Sequence, residues 1–121
     1  MERAEPQLSS SLGRITISTG AIGQIVSQTA ARCYGVVGIG GGVGRRAVGR
    51  LLPRSRGTYG ITVSGDGDSV SPDLHVVVEY GLNLAEVAAT IRSQVQYEVE
   101  RLTGLRVTGV DVHIQDVRQS A

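Results

Sequence analysis

With 121 residues, 40% of them hydrophobic, and a formal charge of +1, the chain has the proportions of one compact domain and too little length for a second. All twelve basic residues are arginine, and the absence of lysine excludes a Walker-type phosphate loop, a Schiff-base lysine and a pyridoxal phosphate attachment. Cys33 is the single cysteine, which excludes an intramolecular disulfide framework and a CxxC metal or redox motif and fits a reducing compartment.

The stretch from Met1 to Leu12 is polar, contains Glu2, Glu5 and Pro6, and lacks the apolar core of a secretory signal. Residues 1–11 therefore read as a flexible tail, 12–117 as one domain and 118–121 as a short C-terminal tail. Nowhere does an apolar run approach the roughly 18 to 20 residues that cross a bilayer, so membrane association would be peripheral or borrowed from a partner. Arg14-Ile15-Thr16-Ile17-Ser18 alternates with period two and predicts a strand. A helix follows, capped by Ser18 or Thr19, with Ile22, Ile25, Val26, Thr29, Ala30 and Cys33 on its apolar stripe and Gly35 ending it.

Beyond a glycine- and arginine-rich segment over 38–57, Thr58 to Val63 alternates as a second strand. Gly65-Asp66-Gly67-Asp68 supplies turn chemistry, and Asp73 to Tyr80 forms a third strand with Pro72 just outside the pairing. Asn83 and Glu86 have the spacing of a capping box at the start of a long helix. Leu84, Val87, Ala88, Ile91, Val95, Val99 and Leu102 recur at steps of three and four along it, and Gly104 stops it. Val110 to Ile114 closes the chain as a fourth strand.

This β-α-β-β-α-β order packs most simply as an α/β (α+β) two-layer sandwich, one sheet covered on one face by two helices, with a split βαβ, ferredoxin-like strand order as the default topology. The alternation directs Ile15, Ile17, Tyr59, Ile61, Val63, Leu74, Val76, Val78, Tyr80, Val110, Val112 and Ile114 toward the helices. The opposite, open face would present Arg14, Thr16, Thr62, His75, Val77, Glu79, Asp111, His113 and Gln115. Of these, Thr16, Thr62, His75, Val77, Glu79, Asp111 and His113 are the candidate partner face.

Sheet-based base stacking of the RNA-recognition kind needs aromatic side chains on that face, and none is there. The GxxG spacings, such as Gly20 to Gly23, are expected by chance in a chain with seventeen glycines. Arg45, Arg46, Arg50, Arg54 and Arg56 fall in one acid-free segment whose guanidinium groups suit phosphates, making them candidates for anionic lipid, nucleic acid or an acidic protein. His75, His113, Asp111 and Glu79 raise the question of a metal if the third and fourth strands are neighbours, but histidines at alternating strand positions fit ordinary surface residues better. Asp66-Gly67-Asp68 fails as a calcium loop because Val77 stands where the bidentate glutamate is needed. Cys33, on an apolar stripe, is a poor nucleophile. No catalytic residue, cofactor site or metal site is therefore assigned.

Gly13-Arg14-Ile15-Thr16-Ile17, Gly35-Val36 before a glycine-rich loop, Val76-Val77-Val78-Glu79-Tyr80-Gly81, the helix bearing Val95, and Leu102-Thr103-Gly104-Leu105 ahead of Val110-Asp111-Val112 carry a resemblance in their order and spacing. From Leu12 to Val117 the sequence resembles the alkaline shock protein family of envelope stress response proteins, found chiefly in Gram-positive bacteria. That resemblance implies an intracellular, non-enzymatic scaffold that self-associates and is held at the inner face of the cell membrane by a small membrane-anchored partner. The alternative function is a small module that binds nucleic acid or anionic lipid through the five arginines.

Overall fold

The computed structural model describes residues 5–40 and 60–119. In chain order the elements are β1 (Gln7–Ser10), β2 (Gly13–Thr16), α1 (Thr19–Ala31), β3 (Val36–Ile39), β4 (Ile61–Asp66), β5 (Ser69–Glu79), α2 (Leu84–Thr103), β6 (Arg106–Val107) and β7 (Asp111–Arg118). The architecture is α+β, a sheet covered by two helices, as the periodicity predicts.

The expected first strand forms, but it pairs with β1, inside the stretch read as a tail, in a separate antiparallel hairpin that matches Gln7 to Thr16 and Ser10 to Gly13. Pro6 is fully buried and fits against Gly65, while the Gln7 N–H donates to the Gly67 carbonyl at 2.9 Å, so the base of the hairpin straps the β4–β5 turn. Among the described residues no strand of the main sheet pairs with the hairpin, which touches the core through Leu8. Ile15, expected in the core, is therefore 63% exposed, and Leu12 at the tip is 97% exposed.

The main sheet is built on β5. β3 and β4 pair antiparallel with one of its edges, and β6 and β7 pair parallel with the other, which differs from the default ferredoxin-like order because β2 never joins. β3, absent from the sequence expectation, shares an edge with β4. The Gly40 N–H donates to the His75 carbonyl and the His75 N–H donates to the Gly60 carbonyl, each at 2.9 Å, so both glycines flank one residue of β5. A β-carbon on Gly60 would lie 2.1 Å from the Gly40 Cα, and both residues have positive φ. Gly40 and Gly60 thus meet at one point of the sheet edge.

Pro72 lies inside the pairing, opposite Val63. It is tolerated because Ser71 and Pro72 fall between the stretches of β5 that pair with β6 and β7, where its missing N–H costs no ladder bond. The β4–β5 connection is a two-residue hairpin loop with Gly67 at φ +63°, the left-handed geometry such turns require.

Ser18 caps α1 by accepting from the Ala21 N–H at 3.0 Å. The helix ends at Ala31, and Gly35, at φ +92° and wedged against Leu82, turns the chain into β3. Asn83 Oδ1 accepts from the Glu86 N–H at 3.1 Å at the start of α2, and left-handed Gly104 ends it. Val87, Ile91, Val95 and Val99 are its buried stripe, whereas Leu84 and Leu102, expected to share it, are exposed at its ends. These residues meet Ile22, Val26 and Ala30 of α1 and Val63, Leu74, Val76 and Val78 of the sheet in a core of aliphatic side chains. Tyr80, expected to point inward, is 66% exposed because β5 ends at Glu79 and the chain turns there.

Leu74 is fully buried at the centre of this core, so Leu74→Ala is expected to cost about 2–5 kcal/mol of stability in urea unfolding. Ile15→Ala is expected to stay within about 0.5 kcal/mol. Equal effects would contradict the exposed hairpin.

Candidate functional site

The open face of the main sheet is organised by β5 and β7. With Leu74 committed to the core, period-two alternation puts Asp73 and His75 on the far side, and the parallel register sets Asp73 beside Asp111 and His75 beside His113. Each strand thus carries an Asp-X-His triplet, Asp73-Leu74-His75 and Asp111-Val112-His113, and their register produces a block of two carboxylates and two imidazoles. Thr62 of β4, exposed and in register with Asp73, extends the row.

The two imidazole rings stack with centroids 4.5 Å apart and planes 14° from parallel. His113 Nε2 lies 3.2 Å from Asp73 Oδ1 and 3.4 Å from Oδ2, and His75 Nε2 lies 3.6 Å from Oδ1. Behind His75, Nδ1 is 2.9 Å from Gln115 Oε1, and the Gln115 amide donates to the Gly40 carbonyl at 3.1 Å. A carbonyl only accepts, so Gln115 must turn its NH2 to Gly40 and its oxygen to His75. His75 Nδ1 therefore carries the proton that it donates to Gln115. In that neutral tautomer Nε2 is a bare lone pair facing the Asp73 carboxylate, two acceptors that a cation between them would satisfy.

Of the expected partner face, Thr62, His75, Asp111 and His113 do assemble here. Thr16 does not, because β2 belongs to the hairpin. Val77 is only 3% exposed, since both neighbouring strands slip register at its level and Val76, Val77 and Val78 are buried in succession. Glu79 sits at the far end of β5 in register with Arg118. The donor atoms that approach within 4.8 Å of one another belong to Asp73, His75 and His113, not to the Asp111 and Glu79 considered from sequence. Asp73 is the residue that sequence reasoning passed over, and the repeated Asp-X-His triplet is the signal that marks it. Arg45, Arg46, Arg50, Arg54 and Arg56 lie outside the described residues.

Cys33 falls in the turn after α1, partly buried, with its thiol donating to the Thr29 carbonyl at 3.4 Å. Burial pushes its pKa up and nearby Arg32 pulls it partly back. Among the described residues no buried side-chain nitrogen or oxygen lacks a hydrogen-bond partner.

A hairpin-strapped α+β sandwich with a polar open sheet face is the class that fold and face define. The family model for alkaline shock protein 23, of cell envelope-related function, matches residues 7–119, and the chain belongs to that family. It is 29% identical to the uncharacterized protein YloU of Bacillus subtilis over 93% of this chain and 94% of that one. A stress response regulator gls24 homolog of Streptococcus pyogenes is 28% identical over 88% of this chain, which spans 59% of that protein's length. A solved structure of a MamM CTD variant aligns with a TM-score of 0.49 at 17% identity, over 79% of this chain and 94% of that one.

Because the fold raises the Cys33 pKa, less thiolate is present at a given pH than in the unfolded chain. Alkylation by iodoacetamide at pH 8 is expected to be slower in the native protein than in urea, with the gap narrowing as pH rises past the folded value. Equal rates would show that the thiol is not shielded.

Proposed function

We propose that this protein is a non-enzymatic envelope stress component that self-associates beneath the cell membrane and is held there by a membrane-anchored partner. The observation that carries the reading is β7: it is eight residues long, pairs with β5 along one edge, and has no strand on its other edge among the described residues. An open edge of that length is a template for strand addition by a second copy. Exposed Leu12 and Ile15 on the hairpin add apolar surface for the same purpose. Family membership supplies the envelope setting. No helix of the described residues is long and apolar enough to cross a membrane, which favours tethering through a partner.

A second reading rests on charge. From Pro6 to Gly65 the sequence contains no acidic residue, and Arg45, Arg46, Arg50, Arg54 and Arg56 cluster within that span, which suits anionic lipid or nucleic acid.

Sedimentation velocity on the purified chain is expected to show species well above the 12.7 kDa monomer that persist in 0.5 M salt, a concentration at which the Debye length is below about 8 Å. In cells, a fluorescent fusion with all five arginines changed to glutamine is expected to stay at the envelope. A monomer at every concentration would overturn self-association, and a diffuse signal from the glutamine variant alone would transfer the membrane role to the arginines.

A further inference from the structure

The Asp-X-His block on the open face goes beyond anything the family assignment specifies. We infer that Asp73, His75 and His113 form a binding site for a divalent transition-metal ion of the zinc class. Three observations converge on this.

The first is donor geometry. In a tetrahedral zinc site the ligand atoms stand about 2.0–2.2 Å from the metal and so about 3.3 Å from one another. His113 Nε2 and His75 Nε2 lie 3.2 and 3.6 Å from Asp73 Oδ1, and all three donor atoms fall within 4.8 Å. Closing the remaining distance requires the two stacked rings to tilt their Nε2 edges together, a motion open to partly exposed side chains on a fixed backbone register.

The second is the tautomer. The relay from Gly40 through Gln115 to His75 Nδ1 leaves the Nε2 lone pair directed at the shared carboxylate. Metal-binding histidines are held in this way, with the non-ligating N–H donated to a neighbouring acceptor. The third is local charge: Asp111, beside Asp73 on the same face, adds a second carboxylate next to the donors. Two imidazole nitrogens among three donors select a transition metal over calcium or magnesium, which prefer oxygen. The remaining coordination position opens to solvent, where water or a group from another molecule completes the shell.

The test uses the untagged chain carrying Cys33→Ser, which removes a competing thiolate, titrated with zinc against a chromophoric chelator. One equivalent is expected to bind, with cobalt giving the visible bands of a four-coordinate site. His75→Ala, His113→Ala and Asp73→Asn are each expected to lose at least tenfold in affinity. Gln115→Leu, which touches no metal, is expected to lose roughly 10- to 100-fold through the freed His75 ring. Circular dichroism identical to the parent shows that each variant folds. Failure of the parent to bind zinc, or undiminished binding by the His75→Ala/His113→Ala double variant, would overturn the site.

Discussion

Every other strand of the main sheet hydrogen-bonds to β5, and the rest of the structure follows from that strand's two faces and two edges. Its inward residues Leu74, Val76 and Val78 receive both helices, and its edges accept antiparallel strands on one side and parallel strands on the other. The parallel side matters most for chemistry. In an antiparallel pairing two Asp-X-His triplets would run in opposite senses and set histidine against aspartate, whereas parallel pairing aligns them like with like. The stacked imidazoles are thus a direct outcome of the α2 crossover that returns the chain to β7 in the same direction as β5.

Much of this fold was legible in the sequence because the signals were local. The Asn83 cap, the apolar repeat from Val87 to Val99 and left-handed Gly104 delimit α2 within a residue of the expected bounds, since helix caps and periodicity act within a few positions along the chain. The failures were non-local. Nothing in the alternation of Arg14 to Ser18 tells whether its partner is β5 or the preceding residues, so alternation directs Ile15 to a core that the hairpin reaches through Leu8 and not through Ile15. Val77 illustrates the same limit: its face follows from period two, but its burial follows from register slips in both neighbours, which depend on strands distant in sequence. On the open face, alternation puts His75 and His113 on the same side of the sheet but makes their meeting conditional on strand order, and Asp73 lies beyond that reading because register, and not residue type, decides which carboxylate stands alongside.

The core is aliphatic throughout, with no phenylalanine or tryptophan anywhere in the chain. Valine dominates both layers, and its stiff χ1 suits the strands more than the helices. The stripe on α2 nevertheless uses Val87, Val95 and Val99, so helix formation there leans on packing against the sheet and on its caps. Among the described residues the open face carries carboxylates and imidazoles in place of large aromatic rings.

The meeting of Gly40 and Gly60 at one residue of β5 has a consequence for how such a chain can change over generations. Both glycines hold positive φ, and a β-carbon on Gly60 would run into the Gly40 backbone, so neither position has room to drift to a residue with a side chain. The pair is therefore a fixed point of the sequence, and with it stays the Gly40 carbonyl that steadies Gln115 behind the histidines.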